Sequence, residues 1–263
     1  MQSILQFAVR GASFNVTSAF NPCVLIPVFN HGPGLAATLA DLAPLHHAVI
    51  VVDDGSDETS RAIIDAAVQG RTWVTLLRRT QNGGKGAAVK DGLELAQRCG
   101  YSHVLQIDAD RQHDCADIDR FFRESREHPE AFVIGVARFN DSVPRVRRVA
   151  RGLTHFWVHI NTLSYDIEDS MCGFRVYPIA VVMPLLREAS VGNHMQFDME
   201  ILVHAHWRGH TFINVPTNVN YPVAGISHFR LVRDNVLISA MHAKLFVGML
   251  LQLPTLLRRR VSR

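Results

Sequence analysis

The chain has 263 residues, 48% hydrophobic and 19% charged, which excludes a disordered chain and leaves room for one large domain or two small ones. Its net charge of +3 hides a segregation: Val143–Tyr165 holds Arg145, Arg147, Arg148 and Arg151, and Asn235–Arg263 holds Lys244, Arg258, Arg259, Arg260 and Arg263, neither with an acid, leaving 18 cations against 24 acids, or −6, elsewhere. This excludes a diffuse nucleic-acid-binding surface, and four scattered cysteines without a CxxC pair argue against a zinc site or disulfide framework and for a reducing compartment.

Met1–Phe20 lacks the basic start and long apolar core of a signal peptide. Short β-branched apolar runs follow at Cys23–Val28, Ala48–Val52, Thr72–Leu77, His103–Ile107 and Ala131–Val136. Helical periods separate them at Leu35–Leu42, Thr59–Val68, Ala87–Cys99 and Ile118–Glu127. This alternation predicts an α/β fold with a mainly parallel sheet, in which ligands sit at the carboxyl ends of the strands. Val146, Val149, Leu153, Phe156, Ile160 and Leu163 recur in steps of three and four and predict an amphipathic helix, with Arg147, Arg148 and Arg151 off the stripe. A further helix is predicted through Met195–Trp207, and Thr211–Tyr221 reads as extended, with Pro216 limiting it to an edge or a break. Asn235–Leu253 reads as a broadly apolar helix, although no run of about 20 apolar residues marks a membrane span.

Acids cluster at two predicted strand ends. In Asp53-Asp54-Gly55-Ser56-Asp57, a turn and helix cap explain Gly55, Ser56 and Asp57. The paired acids also suit a carboxylate that accepts hydrogen bonds from a base or ribose. In Asp108-Ala109-Asp110-Arg111-Gln112-His113, three oxygen-bearing side chains alternate, so an extended segment would point them the same way. Such a set suits Mg²⁺ or Mn²⁺ bound together with phosphate oxygens; a solvated acidic loop capped by Asp114 is the plainer alternative. Between them, Asn82-Gly83-Gly84-Lys85-Gly86 leads into a helix, and its backbone N–H groups suit a phosphate. The spacing is neither that of a Walker A loop nor that of a dinucleotide fingerprint. Among fourteen histidines, none has the spacing of a metal site; His155 and His159 are four apart on the arginine-rich helix, where an interfacial role is expected.

These motifs, with Val24-Leu25-Ile26-Pro27-Val28-Phe29-Asn30 before them and Asp169-Ser170-Met171-Cys172-Gly173-Phe174-Arg175 after, resemble the family 2 glycosyltransferases of the GT-A fold in order and spacing. The branch like dolichyl-phosphate mannose synthases is most similar, and the chain also resembles glycosyltransferases encoded beside lipid or aryl-polyene synthesis enzymes. The resemblance implies that Pro27, Asp53 and Asp54 line a nucleoside pocket. Asn82 and Lys85 would lie near ribose or phosphates. Asp108, Asp110 and Gln112 would hold Mg²⁺ or Mn²⁺ on the diphosphate of a nucleotide-sugar donor. The implied reaction is sugar transfer with inversion.

A hydroxyl acceptor would need a base, for which Asp169 is the first candidate and Glu200 the second. A phosphate acceptor would need none, and Arg175 would then be positioned to pair with it. The first motif continues with His31 where the family usually has glutamate. The stretch Pro222–His228 lacks the arginine and lysine usual in polyprenyl-phosphate enzymes. The expectation is therefore a metal-dependent enzyme acting on a membrane-associated lipid acceptor, the alternatives being a polyprenyl-phosphate glycosyltransferase and a non-catalytic nucleotide-sugar or lipid-binding protein. The organisation expected is an extension over 1–20, a catalytic domain over 21–230 and a basic amphipathic segment over 231–263. That segment would rest on the anionic cytoplasmic face of a membrane.

Overall fold

The computed structural model describes residues 20–139, 145–219 and 231–261, with side chains for all of these except 145–150, 231–232 and 260–261. Seven strands form one sheet: β1 (Pro22–Val28), β2 (Ala48–Asp53), β3 (Val74–Arg78), β4 (His103–Gln106), β5 (Phe132–Phe139), β6 (Arg175–Pro178) and β7 (Phe212–Val219), in the order β3-β2-β1-β4-β6-β5-β7. The helices are α1 (Gly32–Leu42), α2 (Glu58–Val68), α3 (Lys85–Arg98), α4 (Ile118–Glu127), α5 (Arg145–Thr162), α6 (Ile179–Glu188), α7 (Phe197–Trp207) and α8 (Leu231–Val261).

β1 to β4 are parallel, as alternation with helices demands. β6 runs antiparallel to both β4 and β5, so the sheet is mixed. Residues of β1 and β2 split between two cores. Leu25, Ile50 and Val52 pack on the side of α3, α6 and α7, while Val24, Ile26, Val49 and Val51 pack on the side of α1, α2 and α4. Strands covered on both faces read as unbroken apolar runs, which is why they stood out in the sequence. β7 is an edge strand, as Pro216 requires.

Four elements depart from expectation. β6 and α6 carried no signal, because β6 is the short run Arg175–Pro178, opening on an arginine and ending on a proline, and α6 contains Pro184. The α5 stripe divides: Leu153 and Phe156 are 60% and 55% exposed, while Ile160 and Leu163 pack against the core beside buried Thr154, Val158, Asn161 and Thr162. α8 is longer than expected. Its stretch Arg233–Arg259 is apolar and long enough to cross a membrane, by length and composition alone. All four cysteines are free.

Candidate active site

The turns after β1 and β2 are tied together. Asn30 Oδ1 accepts the Asp57 N–H at 2.8 Å, and Ser56 Oγ accepts the Asn30 N–H at 2.9 Å. Asp57 caps α2 through the Ser60 N–H. Asp53 is fully buried; it accepts the Ser56 N–H at 3.0 Å and Arg78 Nε at 2.9 Å. The turn-and-cap reading therefore accounts for Asp53 and Asp57, and Asp53 offers no surface to a nucleoside in this conformation. Asp54 is 2% exposed and reaches across to the glycine loop. It accepts the N–H groups of Gly83 and Gly84 at 2.9 and 2.8 Å and pairs with Arg79 Nε at 2.9 Å. Burial pushes its carboxyl up, against the pull of those donors. Asp54 thus shapes the loop, rather than lining a pocket with its own oxygens. Pro27, at the end of β1, is partly exposed, and Asn82 is exposed on the loop.

The loop leads into α3 through Gly84, whose φ of +97° is in the region that favours glycine. A Cβ at Gly86 would lie 2.5 Å from Phe197 Cβ, so the starts of α3 and α7 touch there. That contact brings Lys85 to Asp198. The Lys85 ammonium lies 2.9 Å from Asp198 Oδ2, and 2.9 and 3.0 Å from the two oxygens of Asp108. Asp198 was missed in the sequence because its whole helix is buried and α7 has no polar face to mark it.

The acidic motif after β4 turns, contrary to the extended geometry expected. Arg111 has a φ of +58°, and Asp110 Oδ1 accepts the Gln112 N–H at 3.1 Å. The turn still keeps Asp108 and Asp110 together. Burial and the Asp108 charge push the Asp110 carboxyl up to about 6. Two hard oxygen donors held against their mutual repulsion fit Mg²⁺ or Mn²⁺. Gln112 sits beside them, partly exposed. His113 stacks on Phe174 at 5.2 Å, and burial pushes it down to about 4.

Asp169 is nearly buried and accepts the N–H groups of Ala137, Met171 and Cys172 at 2.9–3.1 Å. Arg151 Nη2 lies 2.7 and 2.5 Å from its two oxygens. Arg151 therefore turns inward from α5 to this end of the sheet. His155 follows it, 3.2 Å from Ser170 Oγ, and His159 reaches the Ile167 carbonyl. The partners of His155 and His159 turn both toward the protein, not toward the interface expected of them. Two further expectations are corrected by burial. Arg175 is 0% exposed and donates to the carbonyls of Cys172, Ser170 and Asp198, so it has no surface for an acceptor phosphate. Glu200 is 2% exposed, accepts the Gly192 N–H at 2.7 Å and pairs with Lys244 of α8 at 2.9 Å. It ties α7 to α8 and is not placed to take a proton from an acceptor. The stretch Pro222–His228 lies outside the described residues, as do the side chains of Arg145, Arg147, Arg148 and Arg260.

A mixed sheet with glycine loop and acidic turn at one end is the arrangement of the GT-A fold. Residues 23–183 match the family described as glycosyl transferase family 2. The chain belongs to that family and is a glycosyltransferase, which sets aside the non-catalytic alternative. It is 26% identical over 213 residues to the polyprenol monophosphomannose synthase of Mycolicibacterium smegmatis, covering 78% of this chain and 79% of that one. It is 30% identical over 171 residues to the undecaprenyl-phosphate 4-deoxy-4-formamido-L-arabinose transferase of Aeromonas hydrophila, covering 62% of this chain and half of that one. Among solved structures, glucosyl-3-phosphoglycerate synthase from Mycobacterium tuberculosis shares the fold, with a TM-score of 0.62 at 17% identity over 89% of this chain and 80% of that one. A second structure of that synthase, with Mn²⁺, UDP-glucose and phosphoglyceric acid, gives 0.59 at 16% identity, covering 89% and 79%.

Proposed function

We propose that this glycosyltransferase moves a sugar, with inversion, from a nucleotide-sugar donor to a polyprenyl-phosphate-type lipid at a membrane surface. The state of Asp169 carries the choice of acceptor. Its oxygens already serve Arg151 and three backbone N–H groups, so it is poorly placed to take a proton. A phosphate monoester is anionic and attacks without a base. Relatives named for polyprenol, dolichyl-phosphate and undecaprenyl-phosphate substrates support the same reading and outweigh the missing cations at Pro222–His228.

The donor's diphosphate would lie between the glycine loop and the acidic turn. There the Gly83–Gly84 backbone, fixed by Asp54, and the Lys85 ammonium would bind it. A bound Mg²⁺ or Mn²⁺, held by Asp108 and Asp110 with Gln112 beside them, would neutralise charge building on the leaving diphosphate. An acceptor oxygen then attacks the anomeric carbon from the opposite face as the bond to the diphosphate breaks. Arg151, paired with Asp169, is the cation assigned to an acceptor phosphate in this reading. If the acceptor is instead a lipid hydroxyl, Asp169 becomes the base once Arg151 releases it.

Residues 21–230 form the catalytic unit in this reading, and 231–263 with α5 rest on the cytoplasmic face of the membrane. Leu153, Phe156 and Trp157 on α5 continue into Phe246, Val247, Leu250 and Leu251 on α8, and all are more than a third exposed. Trp157 and Phe246 rings lie 6.3 Å apart, so the two helices present one apolar surface. The test is a panel of nucleotide sugars with Mn²⁺, offered polyprenyl phosphate or the dephosphorylated polyprenol. Transfer to the phosphate alone is expected. No hydrolysis or transfer with any donor refutes the reading, and transfer to the alcohol alone restores Asp169 as base.

A further inference from the structure

The position of Lys85 goes beyond phosphate binding. Its side chain is 15% exposed, and its ammonium is shared by Asp108 on one side and Asp198 on the other. Asp108 is 29% exposed and faces the cleft, while Asp198 is 8% exposed and faces the interior. Asp198 is itself held from behind: Gln106 Nε2 lies 3.3 Å from Oδ1, Gln106 Oε1 accepts the Tyr177 hydroxyl at 3.0 Å, and Arg175 comes within 4.0 Å. The inner partner is thus rigidly placed, and the outer one is a proposed metal ligand. Gly173 closes the space around the pair. A Cβ there would lie 2.6 Å from Asp108 Oδ2 and 3.0 Å from Lys85 Nζ.

We propose that Lys85 is the built-in counter-cation of Asp108, tethered by Asp198, and that it couples divalent cation binding to nucleotide binding. A divalent cation that takes Asp108 must displace the ammonium. The ammonium keeps Asp198 and regains a second anionic partner only when a diphosphate enters. Each ligand therefore relieves what the other disturbs, and by linkage the coupling is reciprocal. Asp198 acts as a positioning residue, keeping the released ammonium at the cleft. The inference rests on the donor-site reading above, but its nucleotide-free arm stands apart from it.

The experiment is Mn²⁺ titration of the full chain by electron paramagnetic resonance, with and without UDP or GDP. In the native protein, the nucleotide should tighten Mn²⁺ binding at least about tenfold. Lys85→Gln keeps hydrogen-bonding capacity between the two carboxylates but removes the charge. It should tighten nucleotide-free Mn²⁺ binding about fivefold and reduce the nucleotide effect by a similar factor, the remainder coming from diphosphate oxygens that ligate the ion directly. Asp198→Asn should move nucleotide-free binding the other way, since the displaced ammonium then loses its tether. A structural defect would weaken binding in both variants, so the opposite signs separate the two explanations. Nucleotide-free affinity that is unchanged or lower in Lys85→Gln overturns the inference even if nucleotides bind. Absence of nucleotide binding with the nucleotide-free shift intact overturns the donor reading and the coupling, and leaves Lys85 as counter-cation alone.

Discussion

Asp54 takes three donors from the segment that follows β3, and through them sets the shape of the phosphate loop. Asp54→Ala should leave the Gly83 and Gly84 N–H groups without their acceptor and weaken UDP or GDP binding about tenfold, measured by calorimetry. Unchanged affinity would mean the loop holds its shape without the carboxylate. The histidines give a second prediction at this scale. Burial pushes His113, His204 and His242 down to about 4. They are neutral in the fold, whereas the unfolded chain binds protons from about 6.5 downward. Their contribution is therefore complete above pH 6.5 and is lost as pH falls from there to about 4. The melting temperature should fall across that window, by about 2–4 °C for each kcal/mol lost. The fall should be smaller in His204→Phe, because one group that takes up a proton on unfolding is gone, and the change is tolerated since His204 Nε2 has no hydrogen-bond partner to give up.

Two helix starts and one helix turn build the site at the scale of elements. α3 and α7 meet at Gly86 and Phe197, with the backbone of Asn193 only 2.9 Å from a Cβ placed at Gly86. Gly86→Ala should cost roughly 1–3 kcal/mol through overpacking. It should also raise the KM for donor, because the shift separates Lys85 from Asp198. A thermal melt and donor kinetics check both. α5 contributes through Arg151, which links a helix with an exposed apolar face to the loop holding Asp169. Arg151→Gln should abolish transfer to a phosphate acceptor while donor hydrolysis persists within about threefold. Equal loss of both activities would assign Arg151 to the fold of the Asp169 loop alone.

Across the whole molecule, α5 and α8 pack side by side, and α5 carries both Arg151 and part of the exposed apolar surface. α8 is anchored on its inner face by Met241, Leu245, Met249 and Leu256, by Lys244 on Glu200, and by Gly248 against the Trp207 ring. Its outer face keeps Leu251 81% exposed. A helix held this firmly along one side suits an orientation flat on a membrane, with acceptor and cleft at the same level. Replacing Phe156, Leu250 and Leu251 together by Glu should reduce flotation with phosphatidylglycerol liposomes at least about fivefold, with donor hydrolysis unchanged within twofold. Flotation equal to the native protein would assign the surface to another partner. Removing residues 245–263 should have the same effect on flotation but also destabilise the protein, since Leu245, Met249 and Leu256 are core residues.

The strands β1 to β4, the helices between them, their parallel arrangement and the location of acids at the strand ends were legible in the sequence, whereas the order of the strands in the sheet was not. Buried parallel strands and covering helices have distinct periodicities, and turns at strand ends carry polar residues. β6 was not legible, because a four-residue strand paired antiparallel in the middle of a sheet leaves no periodic trace. Side-chain direction was beyond the sequence as well. Arg175 stood in the motif and Arg151 on a distant helix; burial and partners decide that Arg151 faces Asp169 and Arg175 supports the interior. The same holds for Asp198 and Glu200, two acids of one helix whose partners differ completely. The amino-acid order determined the family, the strand ends and the charge segregation, since these depend on local spacing. Only the tertiary structure decided which acids and arginines meet, because an ion pair between distant segments is set by how helices pack, and no spacing along the chain records it.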